Sequence, residues 1–217
     1  MKTVEKSVCI IDYGVGNVRS VQNALSYLKI KSVISDSKKI IEKSDYLILP
    51  GVGSFEAGMK GLKDHDLIET LRQEVMVNNK KILGICLGMQ LFATKGYEYG
   101  EFPGLDFIKG KVVKIDNKES KLRLPHIGWN NVAVGEDHAI TKGFEKEPVF
   151  YFVHSFHFVP DDSRTIAGTC EYGHKIVAII ESENIFGVQF HPEKSHSDGV
   201  KIFNNFLDIQ TQQHEEI

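Results

Sequence analysis

The stretch Lys81-Ile-Leu-Gly-Ile-Cys-Leu-Gly-Met-Gln90 decides how this chain is read. Its first half is continuously apolar, as expected of a strand covered on both faces. It runs through Gly84-Ile-Cys-Leu-Gly88 into a helix expected to begin near Met89. Small residues on both sides of Cys86 allow a sharp strand-to-helix turn, a nucleophile elbow with cysteine in the serine position. Such a turn pushes the side chain into the open, and the new helix N-terminus favours a thiolate. The competing reading is a buried structural cysteine at a tight turn, and the pentapeptide alone leaves the two about even. Cys9, inside an apolar strand, and Cys170 suit the structural role.

The first half of the chain alternates apolar runs with helical spacing. Ser7–Asp12, Lys31–Ile34 and Tyr46–Leu49 are strand candidates beside Lys81–Ile85. Asn17–Leu28 carries Val18, Val21, Leu25 and Leu28 on one helical face. Residues Phe55–Val77 read as one or two helices broken near Asp64-His65-Asp66. This order argues for a parallel sheet with helices on both sides. In the second half, Gly110–Ile115, Val149–Val153, Thr165–Thr169, Ile176–Ile180 and Phe186–Phe190 follow one another with little helix between them. They read as antiparallel additions to the sheet or a small layer over it. A helix is expected over Ser197–Ile209, then a polar, frayed tail from Gln210 to Ile217. The expected fold class is α/β, with a mostly parallel central sheet flanked by helices and additional antiparallel strands in the second half. No linker divides the chain, so residues 1–217 are expected to form a single domain.

Composition limits the function. Lys plus Arg is 26 against 29 Asp plus Glu, a formal charge of -3, which calls for neither nucleic acid nor a membrane surface. No apolar run is long enough to span a bilayer, and residues 1–7 do not resemble a secretory signal. Three widely spaced cysteines suit free thiols in a reducing, cytoplasmic setting. Two glycine-rich turns, Gly14-Val-Gly16 and Gly51-Val-Gly53, lack the third glycine of a dinucleotide fingerprint, and there is no phosphate-binding loop. The histidines form no HExxH, and no CxxC occurs, so neither a metal nor a cofactor is expected.

A partner for the thiol stands far along the chain, in Phe186-Gly-Val-Gln-Phe-His191-Pro192-Glu193. In extended backbone His191 and Glu193 would point the same way, letting the carboxylate fix the imidazole tautomer and favour the charged ring. A cysteine elbow and a strand-end His-x-Glu in one α/β chain coincide by chance far less often than either occurs alone.

On these residues the chain resembles the class I, triad-type glutamine amidotransferases. More closely, it is similar to the glutaminase subunits of imidazole glycerol phosphate synthase. The stretches that carry the resemblance are Asp12-Tyr-Gly-Val-Gly-Asn-Val-Arg-Ser20, Leu49-Pro-Gly-Val-Gly-Ser-Phe55, Gly84-Ile-Cys-Leu-Gly-Met-Gln90, Pro125-His-Ile-Gly-Trp-Asn130, Tyr151-Phe-Val-His-Ser155 and Gly187-Val-Gln-Phe-His-Pro-Glu-Lys-Ser195. The resemblance implies Cys86 as nucleophile, His191 as general base and acid, and Glu193 as its orienting partner. It implies the backbone N–H groups of Val52 and Leu87 as the oxyanion site, with Gly51 and Gly53 allowing close approach. Gln90, Ser155 and Phe156 would hold the substrate glutamine. It also implies a (β/α)8-barrel cyclase as partner in a heterodimer, with Asn17, Ser20, Trp129, Tyr151 and Lys194 near the shared mouth. A partner makes chemical sense, because ammonia released into neutral water is largely protonated and loses its nucleophilicity. Three other readings stay open: the same chemistry supplying a related barrel synthase for sugar amidination, a stand-alone γ-glutamyl cysteine hydrolase, and a non-catalytic subunit.

Overall fold

Strand sequences that are apolar on both faces need cover on both sides, and the sheet they build is covered on both sides. The computed structural model describes residues 6–117, 122–144 and 147–208. In chain order its strands begin with β1 (Val8–Ile11), β2 (Ser32–Ser35), β3 (Tyr46–Gly51) and β4 (Lys81–Cys86). There follow β5 (Lys95–Gly96), β6 (Phe102–Pro103), β7 (Gly110–Lys114), β8 (His126–Asn131) and β9 (Ala133–Val134). The last are β10 (Val149–His154), β11 (Phe156–Pro160), β12 (Ile166–Glu171), β13 (Lys175–Ser182) and β14 (Ile185–Val188). The α-helices are α1 (Val18–Tyr27), α2 (Lys38–Lys43), α3 (Phe55–Asp64), α4 (Ile68–Arg72), α5 (Leu87–Gln90) and α6 (His196–Phe206).

Among the described residues the main sheet has eight strands, in the order β2-β1-β3-β4-β14-β13-β12-β9. The first five are parallel, and β13, β12 and β9 add to them antiparallel. Successive side chains alternate between two apolar layers. Val8, Ile10, Ile48 and Ile85 pack with Val21 and Leu25 of α1 and Phe203 and Phe206 of α6. Cys9, Ile11, Leu47 and Leu49 pack instead with Ile41 of α2, Leu62 of α3 and Leu71 of α4. The α/β class with a mostly parallel sheet agrees with the sequence expectation.

The rest of the second half builds the small layer. β8 and β10 form a two-stranded antiparallel ribbon, and β11-β7-β5-β6 a second small sheet. Several expectations shift. The break at residues 64–66 falls as expected between α3 and α4, and α4 continues as a π-turn over Gln73–Val77. Helix α2 is new, because six residues with one buried position, Ile41, carry too little periodicity to detect. The last helix starts at His196 and ends at Phe206, and the expected tail lies outside the described residues. Among the described residues no helix is long and apolar enough to cross a membrane.

Candidate active site

The parallel register brings three carboxyl ends of strands side by side. Gly51 of β3 pairs with Cys86 of β4, and Val188 of β14 pairs with Ile85. Ligands of open α/β sheets gather at this edge. Here a cleft of about 280 Å³ is lined by residues of the β3 and β4 ends, Pro125, the β10–β11 turn and His191.

Cys86 occupies φ 55°, ψ -110°, a backbone region that non-glycine residues avoid. The elbow closes because Gly88 has no side chain; a β carbon there would lie 1.7 Å from the Leu49 carbonyl oxygen. Two expectations change. Cys86 is only 6% exposed, on the floor of the cleft and not in the open. The helix begins at Leu87 and lasts four residues. Its macrodipole is therefore that of a single turn, and the first free N–H groups are what it offers.

His191 Nδ1 is 2.8 Å from Glu193 Oε1, with both side chains nearly fully buried. The expected extended His-x-Glu is a different conformation. β14 ends at Val188, and residues Pro192–Lys194 form a 3₁₀ turn that brings Glu193 back to the ring. Proline suits the first position of such a turn, where its fixed φ is already helical. The backbone locks the ring's origin: His191 N–H donates to the Tyr151 carbonyl (2.9 Å), and Ser195 Oγ donates to the His191 carbonyl (2.7 Å). Nε2 makes no hydrogen bond that satisfies both distance and angle. Burial alone would lower the ring's pKa, but the nearby Cys86 sulfur and the Glu193 carboxylate outweigh it and push it up to about 9. Cys9 and Cys170 lie apart, free and buried, and burial pushes their thiols up to about 11 and about 12.

Gln90 is buried, and both amide hydrogens are committed, one to the Phe156 carbonyl and one to Gln189 Oε1, each at 2.9 Å. Its own Oε1 is the atom left to accept. Val52 is 43% exposed and Leu87 is buried; both line the cleft with Gly53, Ser155 and Phe156. Gly51 sits behind them, where a β carbon would meet the Tyr13 hydroxyl at 2.4 Å.

Two residues were missed by the sequence reading. Glu98 lines the cleft, and its Oε2 accepts from Phe55 N–H at 2.8 Å. Gln189 is fully buried and donates to Cys86 Sγ at 3.7 Å. Glu98 stands in no pattern that marks it, whereas Gln189 lies within the Gly187–Ser195 stretch, two residues before His191, with no role read for it there.

The expected interface residues fall into two groups. Trp129 pairs across the ribbon with Tyr151, and Lys194 Nζ lies 5.5 Å above the Tyr151 ring. Asn17 and Ser20 begin α1, where Asn17 Oδ1 caps the helix by accepting from Ser20 N–H. Helix α1 packs against the 192–194 turn that carries Lys194. Ile127 and Val149 extend the exposed apolar face of the ribbon. Among the described residues no group of three or more His, Cys, Asp or Glu side chains stands close enough to hold a metal ion.

A family model described as glutamine amidotransferase class-I matches residues 9–209. The chain is 42% identical over 202 residues to the Pseudomonas aeruginosa "Imidazole glycerol phosphate synthase subunit HisH 2", covering 93% of this chain and 99% of that one. It is 44% identical over 207 residues to the Pelagibacter ubique "Imidazole glycerol phosphate synthase subunit HisH", covering 94% and 100%. Among solved structures it superposes on PurLQS of Thermotoga maritima with a TM-score of 0.70 at 22% identity, covering 94% of this chain and 99% of that one. It also superposes on a glutamine amidotransferase with a TM-score of 0.72 at 19% identity, covering 93% and 97%. At these identities the superpositions speak for the fold alone.

Proposed function

The chain belongs to the class-I glutamine amidotransferase family, and from that premise we propose that it is the glutaminase subunit of an imidazole glycerol phosphate synthase, serving histidine biosynthesis. It hydrolyses glutamine to glutamate and ammonia. One observation carries the mechanism: a cysteine on a strained elbow lies beside a buried imidazole that a carboxylate holds from behind.

His191 takes the Cys86 thiol proton, and the sulfur attacks the side-chain amide carbon of glutamine. The tetrahedral oxyanion is met by the N–H groups of Val52 and Leu87, each such donor being worth about 2.7–4 kcal/mol. His191 gives its proton to the amide nitrogen, ammonia leaves, and a γ-glutamyl thioester remains. Water then attacks the thioester, His191 takes its proton, and glutamate departs with the thiol restored. Glu193 holds Nδ1–H throughout and offsets the ring's positive charge. Gln90 Oε1 accepts from the substrate's amide, and backbone groups of Ser155 and Phe156 hold its α-carboxylate. Glu98 is the carboxylate of the cleft wall and meets the α-ammonium. The ammonia passes to a (β/α)8-barrel cyclase docked on the Trp129–Tyr151–Lys194 face. No cofactor takes part.

The test is a reconstituted complex with the cyclase from the same cell. Glutamate and imidazole glycerol phosphate should appear in equal amounts, and ammonium salts should support synthesis by the cyclase alone. Product formed by this chain alone would overturn the division of labour. Glutamine hydrolysis that feeds an amidino sugar, and no imidazole product, would move the acceptor to the second pathway.

A further inference from the structure

We infer that His126 and His154 are positioning residues for the glutamine pocket: a chain of hydrogen bonds runs from the ribbon through both rings to the Phe156 carbonyl, which Gln90 shares, and Gln90 leads on through Gln189 to the Cys86 sulfur. The inference rests on the glutaminase reading above.

The direction of each link follows from what its atoms can do. His154 Nδ1 is 2.9 Å from the Phe156 carbonyl, which can only accept, so Nδ1 carries the hydrogen. In a neutral ring Nε2 is then an acceptor. His126 Nδ1 lies 3.0 Å from it and must donate. That leaves His126 Nε2 as an acceptor, facing Asn130 Nδ2 at 3.3 Å, while Asn130 also donates to the Glu171 carbonyl at 2.9 Å. Burial keeps both rings neutral, with His126 pushed down to about 4 and His154 to about 3. A proton on either Nε2 would set two donors against each other.

At the other end the Phe156 carbonyl accepts from Gln90 as well, and Gln90 donates on to Gln189, which donates to Cys86. No link can be reversed without stranding a buried group, which is costly. The Phe156 carbonyl therefore sets the Gln90 amide with its oxygen toward the cleft. His126 is also fixed in plane, stacked 4.7 Å from Phe152 and 4.0 Å from Tyr172. A histidine pair serving only the core would need no such termination at the carbonyl that also holds Gln90. Its strand β8 presents Ile127 and Trp129 to solvent on the opposite face, so the ribbon and the pocket share one rigid reference.

The wild-type protein gives the first test. In ¹⁵N-histidine spectra at neutral pH, His126 and His154 should both appear as neutral Nδ1–H tautomers. An Nε2–H tautomer or a charged ring at either position overturns the chain. The second test uses steady-state glutamine hydrolysis by the complex with its cyclase. His154→Leu should raise KM for glutamine about tenfold or more, with a smaller change in kcat and with ammonia-dependent synthesis intact. His154→Asn places a donor where Nδ1 stood and should recover most of the loss. An unchanged KM in a folded His154→Leu protein, or an Asn variant no better than Leu, would refute the positioning role. A wild-type complex that releases no glutamate would instead sink the glutaminase reading.

Discussion

Cys86 holds φ 55°, a conformation that costs a non-glycine residue about 1–3 kcal/mol, and a buried sulfur there suggests strain kept for chemistry. Replacing it separates the two. Cys86→Ala removes the proposed nucleophile and keeps the strain. Cys86→Gly removes both, at an entropic cost of about 0.5–1 kcal/mol in the unfolded chain. Both variants should lack glutamine hydrolysis and keep ammonia-dependent synthesis in the complex. The Gly variant should melt above the Ala variant by about 2–4 °C, as expected of roughly 1 kcal/mol in a chain of this size. Equal melting points would mean the elbow is unstrained. His191 gives a second separation. Its folded pKa, about 9, lies above the ordinary value of 6.5, so the fold binds the proton more tightly than the unfolded chain does. That contribution is complete below pH 6.5 and is lost as pH rises through 9. Glu193→Gln removes one of the raising charges, so the His191 ring should titrate at lower pH by NMR. Turnover should fall about 10⁴-fold, still less than in His191→Ala, because an amide can occupy the place beside Nδ1 but cannot stabilise the charged ring. A ring titrating at an unchanged pH would remove Glu193 from the site.

The β8–β10 ribbon joins two tasks. One face supplies Phe150, Phe152, His126 and His154 to the interior, and the other exposes Ile127, Trp129 and Val149. Such an apolar face suits a partner more than solvent. Ile127→Asp should weaken binding to the cyclase, because it buries a charge in the proposed contact. It should lower the yield of product per glutamine consumed while leaving the fold intact, as measured by titration calorimetry and by the glutamate-to-product ratio. Unaltered affinity would place the interface elsewhere. This ribbon also marks what the sequence could tell. The elbow and His-Pro-Glu are short local patterns, and both were legible from a few residues. The ribbon pairs residues 126–131 with 149–154, and no local periodicity announces that pairing. Glu98 was invisible for the same reason, and Gln189, though inside the quoted 187–195 stretch, showed no role, since only tertiary register makes it a neighbour of Cys86. Even Glu193 was legible in identity but not in conformation, because a 3₁₀ turn and not an extended strand delivers it.

The buried histidines pull the stability of the fold in opposite directions and should give it a maximum near pH 6.5. His191 favours the fold on the acid side of 9. His126, His154 and His157 do the reverse: burial lowers them to about 4, 3 and 4, so they stay neutral in the fold while the unfolded chain takes up protons below 6.5. Their contribution is therefore complete above pH 6.5 and is lost as pH falls toward 4. Each should cost about 1.4 kcal/mol per pH unit, and the three together about 4 kcal/mol per unit. Against a typical total of about 5–15 kcal/mol, this is a large fraction of the stability, lost before most carboxylates titrate. Urea melts between pH 5 and 6 isolate the effect, because carboxylates of ordinary pKa remain charged there. His157 allows the cleanest subtraction. It lies outside the relay, its Nδ1 is buried without a hydrogen bond, and its ring neighbour is His174 at 5.7 Å. His157→Phe keeps the shape of the ring and removes one titrating group. The slope of stability against pH should then fall by about one third, with glutamine KM unchanged. A slope that stays the same would mean that His157 is already charged in the fold, and that its burial is relieved by water or by a rotation of the ring.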